Sequence, residues 1–413
     1  MADIPPDTSG SAPSFAPRRH ASWRRAVLPL VLVLLTLLAA CGTRATAHPD
    51  LNTSPTPSPK PEYLTYIGMD GDIWQLSLPE GSAVQLTADA QPGIVSYSGL
   101  AWSPDGKLLA ALRVTHSGQS TTAQLVVLRA DGQITLQVPL PAVPYGHPFA
   151  WSPNSRYIAY RILASHPSSN QTLLVLLDAS SGALHKALTY PFKQGCGGKN
   201  TALHVAINQI HQTDGGIDTF GWAPDANAML VSSGCANDAS LRVNLSSGAV
   251  TSGYPRGAAF QPGGDLLLGV WNTGGSAPVL GLRDGDNELV RELSTESVSS
   301  PEHYPVLAGL STWAANGSQV YYEHADGIWR VDADGGASHA VVAGTPLDNQ
   351  HAATVELSPT ISPNGRMLVY CELNGTDTST GGVRYSWHLA APDGSNPAIL
   401  PDVTTEATWQ PLP

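Results

Sequence analysis

Charged residues and several short catalytic signatures are scarce or missing in this chain. Only 13% of its 413 residues are charged, and four are cysteine. It contains no Gly-x-Ser-x-Gly elbow, His-Glu-x-x-His zinc motif, phosphate-binding loop or Gly-x-Gly-x-x-Gly segment. Its net charge of -12 repels nucleic acid phosphates. The sequence therefore argues against the enzyme classes that carry these motifs, and against nucleic acid as a partner.

Glycine and proline, by contrast, are abundant, with 40 and 34 copies. Together with the low charge, this composition favours many short strands joined by tight turns over a helical protein. A chain of this length also exceeds the usual size of a single core, unless the fold is modular. We therefore expect an all-β protein built from like units.

One phrase of the sequence recurs seven times, and it is clearest as Trp-Ser-Pro-Asp-Gly. Successive copies lie 49, 71, 38, 53, 48 and 48 residues apart, enough for four short strands each. An aromatic residue repeated at one place in every unit indicates packing between sheets more than carbohydrate stacking. The copies begin at Trp102, Trp151, Trp222, Phe260, Trp313, Ile361 and Trp409.

The two ends of the repeat array complete each other. Residues 63–86 show the second, third and fourth strands of a unit that lacks its first, and residues 406–411 show a first strand without successors. Pairing these segments closes a ring and leaves no bare sheet edge between the first and last units. The sequence predicts a seven-bladed β-propeller over residues 63–413, or a six-bladed one if the copy at Phe260 does not form a full blade.

The phrase, its following strand and the later Asp-Gly turn resemble the TolB-type propeller repeat. The resemblance covers about 350 residues, nearly everything after residue 62. It implies a β-propeller of the kind found in periplasmic and surface proteins and in prolyl-oligopeptidase-like enzymes. TolB itself typically has six blades and an added N-terminal domain, so a TolB-like role in envelope assembly is not implied.

The N-terminal region has the features of an export signal. Four arginines precede an apolar stretch over residues 26–40 that is short for a membrane span, and Leu-Ala-Ala-Cys ends it at Cys41. This ending resembles the bacterial lipobox, in which the cysteine is lipidated; the alternative is an ordinary signal peptide. We expect a signal peptide at 1–40, a proline-rich tether at 41–62, and attachment of Cys41 to the bilayer outside the cytoplasm.

Two of the remaining cysteines are predicted to emerge on one side of the propeller. Cys196 lies in a long connection between units and Cys235 follows a strand of the next unit, so a disulfide between them is plausible in an oxidising compartment. Cys371 follows the apolar run 367–370 and is predicted to be a small buried hydrophobe.

A ligand site is predicted at one mouth of the central channel, from loop position alone. The connection over 193–218 accounts for the 71-residue interval, and long connections in compact domains are usually functional or disordered. The candidate residues in this and neighbouring loops are Arg113, Arg161, Lys199, His204, His211, Asp214, Glu323 and Glu372.

No resident metal or cofactor is predicted. The histidine spacing in the long connection matches no recognised ligand pattern, so solvated loop histidines are the favoured interpretation. Residues 284–288 offer oxygen ligands suited to calcium, yet they fall where a hairpin turn is due.

Three functions remain open on this sequence. The preferred one is a binding or scaffold module for an envelope protein or an extracellular small-molecule or glycan ligand. The second is a propeller enzyme, such as a lactonase-like hydrolase or a glycan lyase, with its site at the channel mouth. The third is an accessory lipoprotein for a neighbouring sensor or transporter.

Overall fold

The computed structural model describes most of the chain after residue 59. The described residues are 60–144, 149–166, 169–190, 217–233, 240–254, 256–271, 279–294, 311–324, 327–344, 356–376 and 383–412. They belong to one compact unit, Lys60–Pro413. In these ranges no helix has the length and apolar character needed to cross a membrane.

The described residues form seven four-stranded antiparallel sheets, the blades, and six of them contain four strands that are consecutive in the chain. Blade 2 contains β4 (Val95–Trp102), β5 (Leu108–Ser117), β6 (Ser120–Arg129) and β7 (Ile134–Leu140). Blade 3 contains β8 (Phe149–Trp151), β9 (Tyr157–His166), β10 (Ser169–Asp178) and β11 (Leu184–Tyr190). Blade 4 contains β12 (Ile217–Trp222), β13 (Ala228–Ser233), β14 (Ser240–Asn244) and β15 (Val250–Tyr254). Blade 5 contains β16 (Arg256–Phe260), β17 (Leu267–Trp271), β18 (Val279–Arg283) and β19 (Leu289–Ser294). Blade 6 contains β20 (Ser311–Trp313), β21 (Gln319–His324), β22 (Gly327–Asp332) and β23 (His339–Ala343). Blade 7 contains β24 (Glu356–Ile361), β25 (Leu368–Thr376), β26 (Val383–Ala390) and β27 (Ala398–Leu400).

Blade 1 is assembled from both ends of the described chain. Its strands are β28 (Ala407–Trp409), β1 (Glu62–Ile67), β2 (Ile73–Leu78) and β3 (Ser82–Gln85), in that order across the sheet. Leu64 lies opposite Trp409 and Tyr66 opposite Ala407 in the β1–β28 ladder. The predicted ring closure is confirmed. The fold is a seven-bladed β-propeller, and the copy at Phe260 forms the complete blade 5, so the six-bladed alternative is wrong.

The repeated phrase marks the end of the first strand in every blade. Strands β4, β8, β12, β16, β20, β24 and β28 all end on its first residue. In blade 2, the next four residues form a turn in which Gly106 N–H donates to the Ser103 carbonyl at 2.8 Å. The fully buried Ser103 hydroxyl donates to Asp105 and accepts the Leu108 N–H, at 2.7 and 2.9 Å. Serine and aspartate at these two positions therefore satisfy the polar groups that starting the second strand would leave unpaired.

The apolar core is divided among the boundaries between blades. Seven clusters of buried apolar side chains occur in the described ranges, and each joins two adjacent blades. Trp151 packs in the cluster of blades 2 and 3, and Trp222 in that of blades 3 and 4. The tryptophans of the phrase thus serve sheet packing, as the sequence predicts.

Candidate ligand-binding face

The propeller has two faces that differ in which connections they carry. Because successive strands are antiparallel, the turns after the first and third strands lie on one face and the other connections on the opposite face. We call the first the turn face; in blade 2 it carries residues 103–107 and 130–133. We call the second the loop face; it carries the hairpins between second and third strands and the connections between blades, such as 118–119 and 86–94 in the first two blades.

Four predicted ligand-binding residues lie within second strands, not in loops as expected. Arg113 is in β5, Arg161 in β9, Glu323 in β21 and Glu372 in β25. The strands continue past the apolar runs read from the sequence, because polar residues go on pairing across the hairpin. In blade 2, for example, Thr115 pairs with Thr122 and Ser117 with Ser120. Threonine favours strands, so these residues support a strand where the apolar signal ends.

Arg113 is held by partners that sequence reasoning missed. Its Nε and Nη2 donate to Asp89 Oδ2 at 3.0 and 2.7 Å, and its Nη1 donates to Thr115 Oγ1 at 3.0 Å. Tyr97 donates its hydroxyl to Asp89 Oδ1 at 2.7 Å. This cluster fastens the connection between blades 1 and 2 to two strands of blade 2. No local motif reveals it, since Asp89 and Arg113 are 24 residues apart.

The electrostatics of the Asp89 cluster favour its charged form. Partial burial raises the pKa of Asp89, but the hydrogen bonds from Tyr97 and Arg113 outweigh it and leave the pKa below its ordinary value. Burial and the neighbouring carboxylate raise the pKa of Tyr97, which stays a neutral donor. The cluster therefore acts as a charged tie within the fold.

Arg161 and Glu323 are buried, so they do not line the mouth as exposed groups. Arg161 exposes 5% of its surface and Glu323 exposes none, and both have interaction partners. Each lies three positions after the residue that pairs with the tryptophan of its blade. In blades 2 and 7 the same position holds Leu112 and Cys371, which pack in the core between blades. The sequence prediction overlooked that this position points into the core.

Glu372, Ser386 and His388 come together on blade 7 but do not form a nucleophile relay. Ser386 Oγ lies 2.8 Å from His388 Nε2, and Glu372 Oε2 lies 3.0 Å from the same nitrogen. A relay needs the acid and the nucleophile on opposite ring nitrogens. Tyr370 stacks on the imidazole with a centroid separation of 5.0 Å. The arrangement fixes the imidazole on the sheet surface instead.

Cys371 is an inert core residue, as predicted. It is a free thiol, buried in the cluster between blades 7 and 1. Burial, followed by the charges of Glu323 and Glu372, raises its pKa to about 12. A thiol that remains protonated is neither a nucleophile nor a metal ligand at neutral pH.

Several predicted residues lie outside the described part of the chain. These are Cys41, Cys196, Lys199, His204, His211, Asp214 and Cys235, with the signal peptide and most of the tether.

The candidate calcium segment, residues 284–288, forms the turn between β18 and β19. Asp284 Oδ1 accepts the N–H groups of Asp286 and Glu288 at 3.0 and 2.8 Å. The hairpin interpretation therefore accounts for this acidic run. Across the described ranges, no three His, Cys, Asp or Glu residues are grouped so that they could hold a metal ion.

Comparison with known proteins supports the fold. No family model matches this chain, and none of the curated proteins matches it either. Among solved structures, an oligogalacturonate lyase in complex with manganese is 14% identical with a TM-score of 0.51, over 78% of this chain and 82% of that one. TolB from Acinetobacter baumannii is 16% identical with a TM-score of 0.42, over 82% and 79%. A prolyl endopeptidase is 13% identical with a TM-score of 0.50, over 82% of this chain and 46% of that one.

These likenesses are of fold. The propeller fold that the repeats imply is confirmed, with seven blades in the described residues. At such identities the similarity carries no residue roles from one protein to another.

Proposed function

We propose that this chain is a lipid-anchored binding module that displays the loop face of its propeller outside the cytoplasm. Its ligand would be an envelope protein or an extracellular small molecule or glycan. The observation that carries the proposal is the difference between the two faces. On the turn face, neighbouring turns are bonded at three blade boundaries, whereas the loop face carries the hairpins and the blade connections.

Neighbouring turns on the turn face are bonded across blade boundaries, beside a cavity of about 720 Å³ that opens on this face around blade 2. Asp105 N–H donates to Ser155 Oγ at 3.1 Å between blades 2 and 3, and Gln410 Nε2 donates to the Gly106 carbonyl at 2.6 Å between blades 1 and 2. Gln261 Nε2 donates to the Gly317 carbonyl at 2.7 Å between blades 5 and 6. Turns that are hydrogen-bonded to their neighbours have less freedom to adapt to a ligand.

The direction of the first described strand also favours the loop face. β1 is a second strand, so it begins on the turn face, where Asn364 N–H donates to Glu62 Oε1 at 2.8 Å. The tether therefore joins the propeller at the turn face. A proline-rich tether of the 22 residues 41–62 reaches roughly 70 Å when extended. In a chain anchored through Cys41, the attachment of the tether would leave the loop face uncovered.

Site-specific photocrosslinking on intact cells tests the choice of face. Gln119, at the hairpin tip between β5 and β6, and Asp131, in the turn between β6 and β7, are both exposed and lie on opposite faces of blade 2. We expect a crosslinker at position 119 to capture a discrete species and one at position 131 to capture none. Equal capture from both positions, or capture only from 131, contradicts the proposal.

The anchor is tested separately by fractionation. Cys41→Ala should move the protein from the membrane fraction to the periplasm or the medium, with Cys371→Ala as a control that stays membrane-bound. Retention of the Cys41→Ala protein in the membrane would refute the anchor without bearing on the loop face.

A further inference from the structure

A groove on the turn face lies between the turns of blade 2 and those of blade 3. It is the cavity of about 720 Å³, and its walls include Leu108, Ala130, Ala179 and Ser180. Ala179 is buried and belongs to the apolar cluster between these two blades. We call this cavity the blade 2–3 groove. A preformed hollow of this size can accept a small molecule without any rearrangement of its turns.

The wall residue Ala179 has counterparts in two other blades. Each counterpart directly follows the third strand of its blade: Ala179 after β10, Leu245 after β14 and Ala333 after β22. In all three blades the N–H of this residue donates to a carbonyl in the turn between the first and second strands, at 2.8, 2.7 and 2.8 Å. The three residues therefore occupy equivalent positions, and their surroundings can be compared directly.

At two of these positions a basic side chain of the preceding blade fills the space. Lys186, the third residue of β11, donates its Nζ to the Leu245 carbonyl. Arg291, the third residue of β19, donates its Nη1 to the Ala333 carbonyl at 2.6 Å. The third residue of β7 is Leu136, which packs on the cluster between blades 2 and 3 and has no donor. The blade 2–3 groove therefore lies where two other boundaries hold an ammonium or guanidinium group.

We propose that the blade 2–3 groove binds a small aliphatic cation, an alkylamine or alkylguanidine, in the place that Lys186 and Arg291 fill at other boundaries. The alkyl chain packs on Leu108 and Ala130, as the stem of a lysine or arginine packs on apolar surface. The charged end donates to the Ala179 carbonyl. The net charge of -12 attracts cations to the protein and repels anions.

The charged side chains that line the groove balance one another. Lys107 Nζ lies 3.2 Å from Asp105 Oδ2, and Arg129 Nε lies 3.6 Å from Asp131 Oδ2. Because each basic group is matched by an acid, these pairs neither exclude a cation nor hold it strongly, and exposed ion pairs contribute little. We therefore expect a weak complex, with a dissociation constant on the order of 1 mM.

Methyl NMR of the full-length chain, titrated with agmatine and with 1-butanol, tests this site. Agmatine carries a guanidinium and an ammonium group on an alkyl chain, whereas butanol offers a similar chain without a charge. Agmatine should shift the methyl signals of Ala130 and Ala179 in a saturable manner. Butanol should bind roughly five-fold more weakly, the ratio that the loss of one hydrogen bond gives.

Leu136→Lys is the variant that tests the comparison between blades. The new side chain should reach the Ala179 carbonyl from within the chain, as Lys186 reaches that of Leu245, and the shifts caused by agmatine should be lost. Leu184→Lys is the matched control. Leu184 is 63% exposed at the start of β11 and does not line the groove, so the same gain of charge there should leave agmatine binding unchanged.

Three results would overturn the proposal: no saturable shift at Ala130 and Ala179, equal binding of agmatine and butanol, or unchanged agmatine binding by Leu136→Lys. Should Leu136→Lys not fold, the comparison of agmatine with butanol on the wild-type protein decides alone. The loop face and Cys41 take no part in these measurements, so a failure here is separate from a failure of the proposed function.

Discussion

The indole N–H of Trp151 donates to the carbonyl of Ala101 at 2.8 Å, across the boundary between blades 2 and 3. The same bond recurs around the ring at 3.0 Å from Trp222 to Ala150 and at 3.2 Å from Trp313 to Ala259. In each case the acceptor is the residue just before the phrase of the preceding blade. The phrase therefore supplies a directional bond between blades as well as apolar surface, which explains tryptophan in preference to phenylalanine at most copies.

Trp151→Phe should destabilise the protein because it leaves the Ala101 carbonyl without its partner. The expected loss is about 1–3 kcal/mol of unfolding free energy for the unpaired group, beyond the loss of ring volume. The measurement is urea unfolding followed by circular dichroism.

Trp387→Phe is the matched control for that measurement. Trp387 is also buried, in β26, and its indole nitrogen has no hydrogen-bond partner in the described structure. It therefore reports the loss of ring volume and of an unpaired N–H group, without the loss of a hydrogen bond. Equal losses for the two variants would show that the bond from Trp151 contributes nothing.

Gly106→Ala should weaken the contact of the C-terminal segment with blade 2, and should destabilise the protein more than the same change in an equivalent turn. A Cβ at Gly106 would meet the Pro411 carbonyl, whereas a Cβ at Gly365 would meet nothing. Both glycines close the same turn, with φ of +68° and +73°. Backbone strain of about 1–2 kcal/mol is common to both variants, so any further loss in Gly106→Ala comes from displacing the C-terminal segment.

Thermal unfolding of the two alanine variants measures this difference. We expect the lower midpoint for Gly106→Ala, with increased proteolysis after residue 405 in that variant only. A Gly365→Ala protein that is as unstable as Gly106→Ala would indicate that the contact with Pro411 does not matter.

The fold could be predicted because every blade repeats the same local chemistry. An apolar residue followed by proline, aspartate, asparagine or glycine predicts a turn within five positions, and the recurrence of that pattern in register makes the weaker copies recognisable. For the candidate site, the sequence predicts which face of the propeller carries the loops, but not which residues contact one another. Arg113 bonds to Asp89 over a separation of 24 residues, and Glu406 bonds to Gly99 over 307 residues. Only the folded propeller brings these residues together. No spacing pattern in the sequence marks such pairs.

Asp89→Asn should change the acid stability of the protein. The folded-state pKa of Asp89 is lowered, so its contribution is present above the unfolded pKa of about 3.9 and is lost as the pH falls through the folded value. The variant should lose about 1–2 kcal/mol at pH 7 and show a flatter decline below pH 4.

Urea midpoints at pH 7, 5, 4 and 3 follow the effect of Asp89→Asn. Asp334→Asn, at an exposed turn between β22 and β23, serves as the control and should follow the wild type. Parallel curves for wild type and Asp89→Asn would contradict the role given to the tie between Asp89, Tyr97 and Arg113.

Ala226→Gly should stabilise the protein, since Ala226 adopts a conformation that suits glycine. Its φ is +57°, at the place in the blade 4 turn where blade 2 has Gly106. Relief of left-handed strain gains about 1–2 kcal/mol, and the greater freedom of glycine in the unfolded chain costs about 0.5–1 kcal/mol. We expect a net gain of about 0.5 kcal/mol, seen as a higher urea midpoint. Ala228→Gly, two residues later in β13 and buried, should instead lower the midpoint. If Ala226→Gly also lowers it, contacts of the Ala226 methyl group with the core between blades 3 and 4 outweigh the strain.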